Sequence, residues 1–188
     1  MTNPSPEADS QPTSITVCAP AKINLILRIL DRRSDGYHNL WSLMQTVRLE
    51  DELSLSINRT HSSITLGCDD PSLKTDHSNL VYRAAAAVLE RSRQTVGLDI
   101  ILAKRIPMGA GLGGGSSDAA ATIIGLNRLL NLGWSATDMA HVGQSLGSDV
   151  SFFFFRSVGH CGRPRRTGEP HSNRRKSMGG PRESWIPN

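Results

Sequence analysis

A glycine-rich stretch that runs into a polar helix start contains the residue types that bind phosphate. Residues 107–118 read PMGAGLGGGSSD and include five glycines. Glycine tolerates positive φ, and its missing side chain lets backbone N–H groups approach a ligand closely. Ser116 or Ser117 would cap the following helix, whose first N–H groups and dipole favour an anion. We therefore assign a phosphate site to Pro107, Met108, Gly109, Ala110, Gly111, Leu112, Gly113, Gly114, Gly115, Ser116 and Ser117.

Three phosphate-binding patterns compete for this stretch. Residues 109–114 match the G-x-G-x-x-G of dinucleotide-binding folds, but that pattern needs an acidic residue about 20 residues later. The nearest candidate, Asp138, lies in the first turn of a predicted helix. A P-loop fails because Gly115 occupies the lysine position. The third pattern has Pro, Gly-Leu and Ser-Ser before a helix, and it resembles the loop of the GHMP kinase superfamily. The remaining alternative is a plain surface turn, and the predicted helix behind the serines argues against that alternative.

Strands are predicted in the first half of the chain, ahead of the glycine-rich stretch. Residues 15–31 are rich in aliphatic and β-branched types and predict strands that are broken near Pro20. Residues 52–58 alternate clearly and predict a strand that pairs beside another at 40–49. Two further strands are predicted at 63–66 and 97–104, the second leading directly into the glycine-rich stretch.

Three helices are predicted after the first strands. One begins at Ser78, with Val81, Ala84, Ala85 and Val88 on its apolar face. The helix behind the glycines should run to about Leu132, where Gly133 stops it. Residues 135–138 resemble a capping box and predict a third helix that ends at Gly147. Strands first and helices later favour an α+β fold.

Four motifs in a fixed order identify a family. They are APAKINL at 19–25, DGYH at 35–38, the glycine-rich stretch at 107–118, and GSDV at 147–150. Together they resemble the 4-diphosphocytidyl-2-C-methyl-D-erythritol kinases, a family of the GHMP kinase superfamily in the non-mevalonate isoprenoid pathway. The triple glycine before Ser-Ser and the Gly-Tyr-His turn separate this family from the galactokinases, homoserine kinases and mevalonate kinases.

The resemblance implies an activity and the residues that perform it. The family transfers the γ-phosphoryl group of ATP, with Mg²⁺, to an alcohol of a small-molecule substrate. Lys22 and Asp149 match its catalytic residues, with Asp149 as the acceptor of the hydroxyl proton. The positions where the family binds the cytidine-diphosphate substrate are Asn24, Tyr37 and His38. Ser116 or Ser117 could reach a phosphate or the Mg²⁺, and no residue is assigned as a metal ligand.

The resemblance also predicts the domain organisation. We expect a disordered leader over 1–14, the N-terminal nucleotide-binding lobe over 15–155 and a disordered basic tail over 156–188. Family members continue into a second lobe, whereas the last 33 residues here include 8 Lys and Arg, 5 Gly and 4 Pro. We interpret the chain as a truncated kinase whose aberrant tail arose from a reading-frame slip. We expect little or no activity from it; a nucleotide-binding remnant without turnover is the alternative.

Charge and composition limit the other classes of function. Residues 1–155 carry 13 Lys and Arg against 15 Asp and Glu, so the basic excess lies in the tail. A nucleic-acid-binding protein acting through that tail is the least favoured alternative, because its charge is not ordered on any element. No apolar run is long enough for a membrane span. Three widely spaced cysteines predict a reducing, cytoplasmic compartment without disulfides, and nothing in the sequence indicates an oligomeric state.

Overall fold

The computed structural model describes residues 12–32 and 38–155, and it combines one sheet with a layer of helices. The strands are β1 (Ser14–Arg32), β2 (His38–Asn58), β3 (Ile64–Cys68) and β4 (Gly97–Ala103). The helices are α1 (Leu80–Ser92), α2 (Gly114–Leu129) and α3 (Ala136–Gly143), followed by a short 3-10 helix at Val150–Phe155. The predicted α+β class is confirmed.

The sheet has the order β1-β2-β4-β3, in which β3 runs parallel to β4 and the other pairs are antiparallel. Helix α2 packs across β1 and β2 and is buried over most of its length. It lies so close to the sheet that a Cβ on Gly125 would be 2.3 Å from Leu55 Cδ1 and 2.7 Å from Val17 Cγ2. The packing of α2 on the sheet is a main source of stability, because each aliphatic side chain buried between them contributes about 1.5–3 kcal/mol.

Two strand predictions are wrong. Strand β1 is not broken near Pro20; it continues through a register shift between Pro20 and Lys22. Proline is tolerated there because β1 is an edge strand and the irregularity absorbs the missing N–H. Residues 40–49 do form a strand, but they do not pair with 52–58: both belong to β2, and both pair with β1.

The helix predictions are confirmed except at their ends. Helix α1 starts after Asn79, whose side chain accepts a hydrogen bond from Val81 N, and the predicted apolar face is buried. The predicted capping box of α3 is present between Ser135 and Asp138, but α3 ends at Gly143 and not at the predicted Gly147. Helix α2 ends at Leu129, earlier than predicted, because the left-handed Asn131 (φ 50°) already breaks the helical path.

The outer half of the β1–β2 ribbon extends beyond the helices. We call residues 23–30 and 41–43 the ribbon arm. Its aliphatic and aromatic side chains remain in contact with solvent; Ile29 is 68% exposed, Leu30 61% and Trp41 49%. The arm is therefore an apolar surface that the described residues leave uncovered.

Two smaller findings concern compartment and membrane. Cys68 is a free thiol, and Cys161 lies outside the described residues. Within the described ranges, no helix has both the length and the apolar character needed to cross a bilayer.

Candidate functional site

The glycine-rich stretch forms a tight loop with repeated left-handed turns. Gly109, Gly111 and Gly113 have φ values of 71°, 72° and 71°. These values strain any residue with a Cβ, so the loop depends on glycine at these positions. The three turns carry the backbone from the end of β4 to the start of α2.

Helix α2 begins earlier than the sequence predicted. Its N-cap is Gly113, which offers no side-chain hydrogen bond, and Ser117 lies inside the helix. The prediction that a serine caps this helix is therefore wrong; three left-handed glycines bring the chain into the helix before either serine. Ser117 is 1% exposed, and its Oγ has no hydrogen-bond partner among the described residues. The start of α2 thus combines a buried hydroxyl with N–H groups that lack intrahelical acceptors.

Lys22 joins the loop to β1. Its backbone N–H donates to Leu112 O at 2.8 Å. Its side chain passes so close to the loop that a Cβ on Gly113 would lie 2.9 Å from Lys22 Cγ. Gly113 is therefore needed both for its left-handed backbone and for the space that the Lys22 stem occupies.

The Lys22 ammonium meets the second predicted catalytic residue. Nζ lies 3.5 Å from Asp149 Oδ2, and the two side chains are 7% and 38% exposed. Asp149 stands between α3 and the 3-10 helix, and its carbonyl accepts from Phe152 N at 3.2 Å. The structure thus brings Lys22, Asp149 and the glycine loop together from three distant parts of the sequence.

The three predicted substrate residues have different outcomes. Asn24 Oδ1 accepts hydrogen bonds from Lys22 Nζ at 3.4 Å and from Ser42 Oγ at 3.2 Å, so Asn24 lies beside the lysine. His38 begins β2 opposite Arg32. Tyr37 lies outside the described residues. The roles of Tyr37 and His38 stay predictions.

A buried charged cluster beneath the loop was missed by the sequence analysis. Lys104 Nζ donates to Asp51 Oδ2 at 2.5 Å and to Asp118 Oδ2 at 2.9 Å. The other oxygen of Asp51 accepts from the backbone N–H groups of Arg105 and Ile106. No local pattern marks this cluster, because Asp51 lies between Glu50 and Glu52 and Lys104 precedes Arg105, as charged residues on a solvated surface do.

Burial and pairing act in opposite directions on this cluster. Burial raises the pKa of Asp118 to about 7, although the Lys104 ammonium favours its ionised form. Burial also lowers the pKa of Lys104, but the Asp118 and Asp51 carboxylates outweigh it, so the pKa stands above its ordinary value. Asp118 Oδ1 has no hydrogen-bond partner within the part of the chain that is described.

A cavity of about 470 Å³ lies beside the loop. The glycine loop forms one wall, and Lys104 and Asp118 contribute to its lining. The opposite wall comes from residues 72–74 and 78–81, where the Asn79 amide donates to Lys74 O at 2.6 Å. Sequence reasoning missed this second wall, because its residues are of types common in any turn before a helix. The arrangement can hold an anionic ligand whose charged groups lie against the loop.

Comparisons with known proteins agree with this geometry. Residues 79–157 match the family described as GHMP kinases N terminal domain. A 4-diphosphocytidyl-2-C-methyl-D-erythritol kinase from Syntrophotalea carbinolica is 49% identical over 138 residues, covering 73% of this chain and 49% of the relative. One from Heliobacterium modesticaldum is 50% identical, covering 71% and 42%. The chain spans about half the length of the curated relatives it matches.

Solved structures of similar proteins also match about three quarters of this chain and about half of their own length. A crystal structure of 4-(cytidine 5'-diphospho)-2C-methyl-D-erythritol kinase matches with a TM-score of 0.63 and 41% identity, covering 75% of this chain and 49% of that chain. A homoserine kinase from Cytophaga hutchinsonii matches with a TM-score of 0.60 at 21% identity, covering 79% and 45%. The second match bears on the fold alone.

Proposed function

Because the chain belongs to the GHMP kinase superfamily, we propose that it carries the nucleotide-binding half of a kinase that phosphorylates a hydroxyl of 4-diphosphocytidyl-2-C-methyl-D-erythritol with ATP. The observation that carries the proposal is the assembly of the glycine loop with the Lys22–Asp149 pair, 3.5 Å apart. The substrate follows from the names of relatives that are 49% and 50% identical.

The volume of the cavity, about 470 Å³, and the backbone donors of the loop support ATP as its ligand. A Cβ on Gly109 or Gly111 would meet nothing within 4 Å, so the loop presents open backbone to the cavity. The buried Ser117 Oγ and the N–H groups of the first turn of α2 would donate to phosphate oxygens. In this proposal the loop residues 107–117 bind the phosphates, and residues 72–74 and 78–81 face the rest of the nucleotide.

The Mg²⁺ of the proposed reaction is not assigned to residues of this chain. The described residues contain no group of three or more His, Cys, Asp or Glu that could hold a metal ion. In the buried cluster, the Lys104 ammonium already lies between the Asp51 and Asp118 carboxylates. We therefore expect Mg²⁺ to enter with the phosphates of ATP, whose charge it partly neutralises, and assign it no protein ligand.

Asp149 and Lys22 would act on the acceptor hydroxyl. Asp149 is partly exposed and would take the proton as the alcohol oxygen bonds to the γ-phosphorus and the bond to ADP breaks. Lys22 would hold the carboxylate and the alcohol oxygen in place. Asn24, which accepts a hydrogen bond from the same ammonium, would orient Lys22 as well as contact the substrate. Positioning of this kind supplies most of the catalysis in phosphoryl transfer.

The remaining assignments are part of the same proposal. Tyr37 and His38 would contact the cytidine end of the substrate. Residues 15–155 would form the nucleotide-binding domain, flanked by 1–14 and 156–188. Such an enzyme acts on a small molecule, and we place it in the cytoplasm.

The test compares the full chain with a hybrid. In the hybrid, residues 1–155 are joined to the C-terminal half of the Syntrophotalea carbinolica relative. We expect the chain alone to bind ATP, and the hybrid to form ADP only when 4-diphosphocytidyl-2-C-methyl-D-erythritol is present. Asp149→Asn in the hybrid is the matched control.

Each outcome separates the alternatives. ATP binding without turnover in the hybrid would indicate a nucleotide-binding remnant. No ATP binding by either protein would refute the proposal. Turnover in the hybrid that is unaffected by Asp149→Asn would remove Asp149 from the mechanism.

A further inference from the structure

A second buried cation besides Lys22 lies beside the glycine loop, the ammonium of Lys104. Its side chain is 7% exposed, and Nζ is bonded to Asp51 and Asp118. A Cβ on Gly114, the first residue of α2, would lie 3.3 Å from Nζ. The ammonium therefore lies directly against the helix start that the proposed function assigns to phosphate.

We propose that Lys104 is a phosphate-binding residue of the nucleotide cavity, and that Asp51 and Asp118 hold its ammonium against the first turn of α2. The inference rests on the proposed function and names a ligand contact for that same site. It gives a role to a cluster that the glycine-loop assignment does not include.

The hydrogen bonds of Lys104 leave a donor for such a ligand. An ammonium has three N–H groups, and the described residues supply acceptors for two of them. Lys104 also lines the cavity together with residues 107–115. The third N–H can therefore reach a phosphate oxygen in the cavity, and that phosphate then shares the ammonium with the carboxylates.

The two carboxylates play unequal parts. Asp51 is fully buried, and its Oδ1 is fixed by the N–H groups of Arg105 and Ile106 at 2.5 and 2.8 Å. Asp118 lacks these backbone donors, and its Oδ1 finds no partner among the residues described. Asp51 is therefore the permanent anchor of Lys104, and Asp118 is the group with which a phosphate competes for the ammonium.

The other cations near the loop are differently placed. The Lys22 ammonium lies by Asp149, where the acceptor hydroxyl is expected. Lys74 lines the opposite wall of the cavity and is exposed to solvent, which screens its charge. Lys104 is thus the buried cation whose ammonium adjoins the first residue of α2 and which also lines the cavity.

The experiment titrates ATP, adenosine and inorganic tripolyphosphate into the full chain and three variants, at about pH 8 and about 0.15 M salt. The variants are Asp118→Asn, Lys104→Met combined with Asp118→Asn, and, as the control, Arg59→Met, which removes an exposed positive charge outside the cavity lining. The double variant avoids leaving Asp118 as an unpaired buried charge. Melting temperatures establish that each variant is folded.

The proposal predicts a specific pattern. The double variant should bind ATP and tripolyphosphate roughly 10–100-fold more weakly than Asp118→Asn, because a hydrogen bond from a charged group is lost. Adenosine affinity should not change, since adenosine has no phosphate. Asp118→Asn alone should bind tripolyphosphate several-fold more tightly, and Arg59→Met should weaken tripolyphosphate binding by no more than about threefold.

The opposite results would overturn the inference. A folded double variant with ATP affinity within roughly threefold of Asp118→Asn shows that Lys104 does not contact phosphate. If the double variant does not fold, Asp118→Asn decides: unchanged or weaker tripolyphosphate binding contradicts the competition. Failure of the unaltered chain to bind ATP would overturn the proposed function as well, whereas binding independent of Lys104 overturns this inference alone.

Discussion

The Lys22 side chain fills the space beside Gly113, so residue 113 has no room for a side chain. The lysine stem passes the point where any side chain at 113 would project, with Cγ only 2.9 Å from the Cβ position. The same lysine is bonded through its N–H to Leu112 O. A change in the loop will therefore reach the Lys22–Asp149 pair as well as the nucleotide phosphates.

Gly113→Val tests this coupling in the hybrid enzyme. We expect weaker ATP binding, because a β-branched residue at φ 71° distorts the loop. Backbone N–H groups would then lose their hydrogen bonds to phosphate, and each lost bond costs about 1.5–3 kcal/mol of binding free energy. We also expect lower turnover at saturating ATP, because the Lys22 stem is displaced. Nucleotide titration and kcat measure the two effects. Gly109→Ala, where a Cβ meets nothing within 4 Å, is the control that retains only backbone strain. Unchanged ATP binding in Gly113→Val would reduce the loop to a turn.

Asp149→Asn should lower turnover by roughly 10²–10⁴-fold, the usual contribution of a positioned base. ATP affinity should change little, because the carboxylate pairs with Lys22 and stands outside the cavity lining. Steady-state kinetics of the hybrid, together with ATP titration, separate the two quantities. Near-normal turnover would remove Asp149 from the mechanism.

Asp118 should make stability depend on pH. Burial raises its pKa to about 7, so the folded protein holds a proton that the unfolded chain releases near pH 4. The free energy of unfolding should therefore fall as pH rises from about 4 to 7, by at most about 1.4 kcal/mol per unit. Denaturant unfolding of Asp118→Asn should lose this slope relative to the unaltered chain.

Asp138→Asn is the control, because the pKa of Asp138 is shifted in the direction opposite to that of Asp118. The pKa of Asp138 is lowered by the hydrogen bonds from Ser135, so its contribution is lost only as pH falls below the ordinary aspartate range. This variant should keep the slope between about pH 4 and 7. An equal slope in Asp118→Asn and in the unaltered chain would mean that Asp118 does not titrate in this window.

Helix α2 carries the phosphate-binding end, and its distance from the sheet is set by Gly125. A Cβ there would lie 2.3 Å from Leu55 Cδ1, and both Leu55 and Val17 are fully buried. We expect Gly125→Ala to destabilise the protein by roughly 1–2 kcal/mol, because crowding of the core exceeds the gain in helix propensity. Thermal or denaturant unfolding measures it.

Gly133→Ala is the comparison for Gly125→Ala. A Cβ at Gly133 meets nothing within 4 Å, so its cost comes from φ 68° alone. If Gly125→Ala were neutral or stabilising, α2 would not be held at its present distance by that contact.

The sequence predicted elements where the pattern was local. The capping box of α3 and the apolar face of α1 follow from neighbouring residues and are confirmed. The continuity of β2 was not predicted, because its pairing along the whole of β1 is a long-range property. The start of α2 was placed too late because serine is the commoner N-cap, whereas here left-handed glycine dihedrals decide where the helix begins.

The candidate site was predictable in its motifs but not in its internal contacts. Motif order identified Lys22, Asp149 and the loop, which the structure brings together. The Asp51–Lys104–Asp118 cluster unites residues 53 and 14 positions apart through tertiary packing, and no local pattern encodes such a contact.

The last prediction concerns the protein as a whole: the chain alone should show little or no kinase activity, although the loop, Lys22 and Asp149 are present. It spans about half of its relatives, and the ribbon arm exposes large apolar side chains such as Leu25 (55%) and Ile29 (68%). Burying one such side chain contributes about 1.5–3 kcal/mol against a whole-domain stability of about 5–15 kcal/mol. We expect the C-terminal half of a relative to cover this surface and complete the substrate cleft. The full chain should therefore bind a hydrophobic dye strongly. The hybrid should bind less dye, melt more cooperatively and catalyse phosphotransfer.

Leu27→Ser combined with Ile29→Ser, both on the ribbon arm, should lower dye binding by the chain and lower the melting temperature of the hybrid. Robust phosphotransfer by the chain alone would prove the prediction wrong, as would a hybrid whose melting is insensitive to the double serine variant.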